Sequence, residues 1–217
     1  MNTALLFGAT GLVGKQVLAQ LTANEYYDKI VVFNRKTQHY SSPKVEEIIS
    51  DLKDLELIKE KIKGEVVFIC VGTTIKKAGT KANFEAVDLD LPISIAMAAK
   101  ENNVSCLVAI SSLGANVHSS NFYLKTKGDM EQSLSEIGVK HTYFVRPSML
   151  FGKREEFRLA EYLGKIALIA FGLFLFGSLK KYKGIEDWQV AKAMILMAKN
   201  KPKQNVFESD ELINIIN

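Results

Sequence analysis

The sequence predicts an α/β fold, a doubly wound parallel sheet with helices on both faces and a small helical region towards the C-terminus. Two observations carry this. Short, continuously apolar runs alternate with helix-length segments along most of the chain, and the first run passes through a glycine-rich turn straight into a helix start. Continuous rather than alternating apolar runs mark strands buried on both faces. Strand–helix alternation gives parallel strands joined by right-handed crossovers.

Taken in order, the expected strands are Ala4–Phe7, Ile30–Phe33, Val45–Ile49, Val66–Cys70, Val104–Ile110 and Thr142–Val145. The expected helices are Leu12–Ala23, Leu52–Lys61, Phe84–Glu101 and Leu124–Ile137. Beyond Phe151 the alternation breaks, and helices are expected near Glu155–Leu163, Ile166–Leu179 and Asp187–Lys199. A length of 217 residues suits one large domain. Within it, residues 151–200 form a substrate-side or oligomer-forming helical region. In such a sheet a ligand lies at the strand C-termini, where the strand order reverses.

The turn itself reads Gly8-Ala9-Thr10-Gly11-Leu12-Val13-Gly14. A helix N-terminus leaves backbone N–H groups unpaired and carries partial positive charge, so it attracts phosphate. Glycine lets the ligand's pyrophosphate approach the backbone. The spacing is G-x-x-G-x-x-G rather than the commoner G-x-G-x-x-G. The strand before it and the helix after it nonetheless supply the confirming context for a dinucleotide over a bare turn. Gly8, Thr10, Gly11, Leu12, Val13 and Gly14 are therefore candidate cofactor-binding residues.

The end of the second strand selects the cofactor. An acid there binds the ribose 2′-hydroxyl of NAD, but this chain has Asn34-Arg35-Lys36. Two cations and no acid suit a 2′-phosphate, so Arg35 and Lys36 favour NADP(H) over NAD(H); solvated surface cations are the plainer alternative. Asp51 is placed to meet the adenine edge beside Leu52, or equally to cap a helix that starts there. Gly72-Thr73-Thr74, after the fourth strand, leaves room for the dinucleotide backbone or is a plain turn.

The fifth strand ends in Ser111-Ser112, and Tyr123 and Lys127 follow four residues apart on one helix face. An ammonium beside a phenol stabilises the phenolate, which makes a tyrosine a usable proton donor or acceptor. A serine hydroxyl at the strand end can hydrogen-bond the same substrate oxygen. Arg146-Pro147 closes the sixth strand and either shapes the wall around the nicotinamide or simply stops the strand.

Composition excludes several classes. The net charge of +4 comes without a dense Lys/Arg run or interleaved aromatics, which argues against nucleic acid. His39, His118 and His141 lie far apart, and neither Cys70 nor Cys106 joins them, so no metal site is expected. Both cysteines fall in apolar runs, as buried free thiols in a reducing compartment do. With no secretory signal pattern, the expected location is cytoplasmic, with peripheral membrane association as an option.

Together these residues resemble the short-chain dehydrogenase/reductase superfamily in its atypical or extended branch, and within it the Tat-interacting-protein-like oxidoreductases. The stretches that carry the resemblance are GATGLVG (8–14), NRK (34–36), GTTIKKAG (72–79), FEAVDLD (84–90), SSLGA (111–115), SSNFYLKTKGDME (119–131) and RPSMLFGKREEFR (146–158). The resemblance implies a catalytic triad of Ser112, Tyr123 and Lys127. Tyr123 would exchange a proton with the carbonyl or alcohol oxygen. Lys127 would bind the nicotinamide ribose, and Ser111 would belong to the cofactor site. Hydride would pass to or from the nicotinamide. Two rivals stand beside this: a non-catalytic nucleotide-sensing regulator, and an epimerase or dehydratase that moves hydride transiently.

The run Ile166–Leu179 (IALIAFGLFLFGSL) is apolar throughout and flanked by Lys165, Lys180, Lys181 and Lys183. It is short for a bilayer, which needs about 20 residues. Burial in the fold, at an apolar substrate pocket or in a homodimer, ranks before contact with a membrane surface.

Overall fold

The computed structural model describes residues 2–52, 56, 58–152 and 182–217. Strands β1 (Thr3–Phe7), β2 (Lys29–Asn34), β3 (Val45–Ile49), β4 (Val66–Ile69), β5 (Cys106–Ile110) and β6 (His141–Arg146) all fall where the apolar runs lie. The next two, β7 (Leu150–Phe151) and β8 (Ile185–Glu186), are short and pair with each other, and β9 (Val206–Glu208) follows. Among the described residues, seven strands form one sheet in the order β3-β2-β1-β4-β5-β6-β9, every neighbouring pair parallel.

Side chains within each central strand point alternately to two separate cores. Ala4 and Leu6, Ile30 and Val32, and Phe68 face one side. Leu5 and Phe7, Val31 and Phe33, and Val67 and Ile69 face the other. Both sets are buried, which is why these strands read as unbroken apolar runs. Phe7 and Phe33 stack across the β1–β2 pair at 4.2 Å.

The helices are α1 (Leu12–Ala23), α2 (Ile75–Ala78), α3 (Lys81–Glu85), α4 (Leu91–Glu101), α5 (Phe122–Ile137), α6 (Asp187–Asn200) and α7 (Ser209–Ile216). α1, α6 and α7 supply the core on one face of the sheet, α4 and α5 that on the other. The expected helix Phe84–Glu101 is longer and composite. α3 runs into α4 through a wide π-type turn at Ala86–Asp90. The helix expected from Leu52 does not begin there. Leu52 has φ +61°, a left-handed conformation that cannot start a right-handed helix, and the described residues near its end form only a short 3₁₀ turn at Lys59–Lys61. The helices expected at Glu155–Leu163 and Ile166–Leu179 lie outside the described residues.

Candidate functional site

The strand order reverses between β1 and β4, and a cavity of about 440 Å³ opens there, at the C-terminal ends of the strands. Each wall follows from a local feature of the sequence. Gly8 turns the chain at φ +87°; a Cβ there would stand 2.5 Å from the Cys70 carbonyl carbon, so only glycine lets the ends of β1 and β4 close up. Gly14 sits inside α1, where a Cβ would lie 2.1 Å from the Gly8 carbonyl oxygen, so the helix packs directly on the turn. Gly11 is the N-cap of α1, and no side chain caps the helix and no acid sits in its first turn. The helix N-terminus is left to an anion.

Thr10, Gly11, Leu12 and Val13 line this cavity, as do Gly72, Thr73 and Thr74 beyond β4. Thr74 also caps α2 through its hydroxyl, which accepts the Lys77 N–H at 3.2 Å. At the other end the same cavity is lined by Ser111, Ser112, Tyr123, Lys127 and Pro147. The loop between β5 and α5 reaches this position because α5 carries Gly128. A Cβ there would fall 2.4 Å from the Asn116 carbonyl carbon, so the loop crosses the helix backbone next to Lys127. Tyr123 packs its ring on Phe84, centroids 5.8 Å apart.

Polar satisfaction within this wall is incomplete. The Ser111 hydroxyl is buried with no partner among the described residues, whereas Ser112 Oγ makes a long contact of 3.4 Å to the Leu113 carbonyl. A buried hydroxyl without a partner costs about 1–3 kcal/mol, which a ligand atom can recover. Lys127 Nζ lies 2.7 Å from Asp88 Oδ1, both side chains buried. The other Asp88 oxygen accepts the Thr73 N–H at 2.8 Å. Burial pushes the Cys70 thiol, also on the wall, above its ordinary value, so it supplies no thiolate nucleophile.

Seven expected site residues lie outside the cavity lining: Gly8 and Gly14, which shape the turn behind it, and Arg35, Lys36, Asp51, Leu52 and Arg146. Arg35 and Lys36 are exposed beyond the end of β2, and no acid among the described residues pairs with either. Asp51 is exposed just past β3, beside the left-handed Leu52. Arg146 turns from the cavity to α5, where its guanidinium donates twice to Glu131, at 2.9 and 2.6 Å. These bonds hold it more firmly protonated than an ordinary arginine.

Among the lining residues outside the expected site, three are charged. Lys15 and Lys77 add positive charge, and Asp88 adds the buried carboxylate. Asp88 had a legible signal, for it follows the buried Phe84 by four residues and so falls on the buried face of its helix. The lysines had none, because a lysine in the first turn of a helix, as Lys15 in α1, or in a one-turn helix, as Lys77 in α2, reads as solvated.

Comparisons with known proteins bear on the family and the fold. A family model described as NAD(P)H-binding matches residues 8–163. A protein named "Protein FMP52, mitochondrial" from Eremothecium gossypii is 31% identical over 98% of this chain and 96% of its own. Its namesake from Candida albicans is 38% identical over 72% of this chain and 70% of its own. Among solved structures, the UDP-Glc/GlcNAc 4-epimerase from Campylobacter jejuni superposes with a TM-score of 0.72 at 12% identity, over 99% of this chain and 82% of that one. The oxidoreductase ylbE from Lactococcus lactis gives a TM-score of 0.57 at 19% identity, over 70% and 71%. At these identities the structures speak for the fold alone. The fungal relatives overturn the expected cytoplasmic location, since they are named as mitochondrial proteins. The chain belongs to the NAD(P)H-binding family.

Proposed function

We propose that this member of the NAD(P)H-binding family is an NADP(H)-dependent oxidoreductase that reduces a carbonyl or oxidises an alcohol. One observation carries the reading. A single cavity joins an uncapped helix N-terminus at one end to Ser111, Ser112, Tyr123 and Lys127 at the other. The buried Ser111 hydroxyl, without a partner among the described residues, and the uncapped N-terminus at Gly11 fit a dinucleotide laid along it.

The nicotinamide, when bound, supplies or accepts a hydride. The chain's own residues do the rest. The N–H groups that open α1 hold the pyrophosphate, with Lys15 and Lys77 adding charge. Lys127 gives one N–H to Asp88 and keeps two donors for the ribose hydroxyls. In reduction Tyr123 gives its phenolic proton to the carbonyl oxygen, and in oxidation it takes that proton back. Ser112 hydrogen-bonds the same oxygen.

The preference for NADP(H) rests on Arg35 and Lys36 and on Glu47, a carboxylate in contact with the β2 end. Its carboxylate accepts from Asn34 Nδ2 at 2.7 Å and from the Gln38 N–H at 3.0 Å, so it is engaged and not offered to a ribose hydroxyl. For the setting, we take over the mitochondrial location in the relatives' names.

Calorimetric titration with NADPH and NADH, followed by a panel of aldehydes and ketones with absorbance of the reduced cofactor as readout, tests the reading. Tighter binding of NADPH with oxidation in the panel supports it. Binding without oxidation moves weight to a nucleotide-sensing role, and binding of neither cofactor refutes the dinucleotide site.

A further inference from the structure

Asp88 stands in the middle of the wide turn Ala86–Asp90, with its side chain 1% exposed. Wide turns of this kind recur at functional sites, because they re-aim one residue without ending the helix. Here the residue re-aimed is a carboxylate whose two oxygens have separate partners. Oδ2 is anchored by the Thr73 N–H from the loop after β4, and Oδ1 holds Lys127 Nζ on α5. Both partners line the cavity.

Burying two charges is expensive, and their attraction offsets the cost only where the geometry is good. A pair kept for stability alone has no need to border a cavity. A lysine side chain also has four rotatable bonds, so an ammonium meant to meet a ribose needs a fixed point of reference. The backbone N–H of Thr73 supplies that reference through Asp88.

We infer that Asp88 is a positioning residue that acts on the bound dinucleotide through Lys127. It fixes the ammonium with one N–H and leaves the other two for the ligand. This inference rests on the dinucleotide reading of the cavity.

The test uses the full chain and NADPH, with calorimetry and the fluorescence of the bound reduced nicotinamide as readouts. Asp88→Glu keeps the charge and moves it by one methylene. It is expected to melt within a few degrees of wild type, yet to bind NADPH about tenfold more weakly and with altered nicotinamide emission, since small misplacements at such sites are costly. Lys127→Met is expected to weaken binding as well, and the double variant to bind no more weakly than Lys127→Met alone, because both changes act on one contact. Should Asp88→Glu fail to fold, Asp88→Asn, which keeps the shape and one acceptor, takes its place in the cycle. Unchanged affinity and emission in a folded Asp88 variant overturns the inference, as do additive losses in the cycle. A wild-type chain that binds neither NADPH nor NADH overturns the dinucleotide reading and the inference with it.

Discussion

The glycines of the first turn separate folding from binding within one motif. In Gly14→Ala the new methyl carbon would start 2.1 Å from the Gly8 carbonyl oxygen, 2.8 Å from its carbon and 3.1 Å from Ala9 Cα. All three are backbone atoms of a tight turn and cannot rotate away. Overpacking of this kind costs typically 1–3 kcal/mol, and a contact so short against backbone belongs at the upper end. Alanine returns about 1 kcal/mol in helix propensity. The net expectation is a loss of about 2 kcal/mol, which for a chain of this size lowers the melting temperature by roughly 4–8 °C. Because α1 can relieve the clash only by moving off the turn, its N-terminal N–H groups shift and NADPH affinity falls too. Gly11→Ala is the control. Its φ of −76° suits any residue, and its Cβ would meet only the Gly8 and Cys70 carbonyl oxygens, at 3.3 and 3.7 Å. Its stability should change by less than about 1 kcal/mol, while on the proposed dinucleotide reading affinity drops because the methyl is added at the helix N-terminus that would hold the pyrophosphate. Thermal melts and NADPH calorimetry on the two variants decide. A Gly14→Ala variant as stable as wild type, or a Gly11→Ala variant that binds as wild type, refutes the division of roles.

Arg35→Asp is expected to weaken NADPH binding more than NADH binding in parallel titrations, and equal losses would remove the 2′-phosphate role. Tyr123→Phe keeps the ring packed on Phe84, so cofactor affinity should hold while turnover of any substrate found is abolished; persisting turnover takes Tyr123 out of the chemistry. Glu131→Gln takes the charge from the two bonds that hold the half-buried Arg146 and leaves one acceptor oxygen for them, and should cost about 2 kcal/mol in denaturant unfolding with NADPH affinity intact. A selective loss of affinity there would instead return Arg146 to the cofactor site.

Most of the sheet was legible because one physical cause produced one pattern. Strands such as Leu5–Phe7 and Val66–Ile69 are buried on both faces, so every position is apolar, and helix Leu12–Ala23 is bounded by the same glycine turn that builds the site. Legibility failed where tertiary contacts overrode local preference. The pattern from Leu52 onward has helical composition, yet Leu52 is left-handed. β9 and α7 were not foreseen because three residues of strand and eight of helix are short beside the segments that stand out in the sequence; β9 gains its partners from β6, through the register Val145 to Phe207. In the site, residues that are adjacent in sequence were found together. The missing partner was Asp88, more than thirty residues from Lys127 in the sequence and joined to it only by the packing of one helix on another.

The C-terminal elements do more than extend the sheet. After β6 the chain runs through Ser148 and Leu150, both on the cavity wall. Ser148 donates its N–H to Ser209 Oγ at the start of α7, 2.8 Å away, and its hydroxyl binds the Lys183 carbonyl. Leu150 then pairs with Ile185 across β7 and β8. Residues on either side of the segment 153–181 are thus fastened to each other and to α7 at the edge of the cavity, and Ser209 is completely buried there. The sheet order explains why this works. β9 adds beside β6 in parallel, so its C-terminal end, from which α7 starts, lies at the same edge as the ends of β1, β4 and β5. Adding one parallel strand after the excursion returns the chain to the edge where the ligand crevice lies, so the residues that close the fold also build the cavity wall.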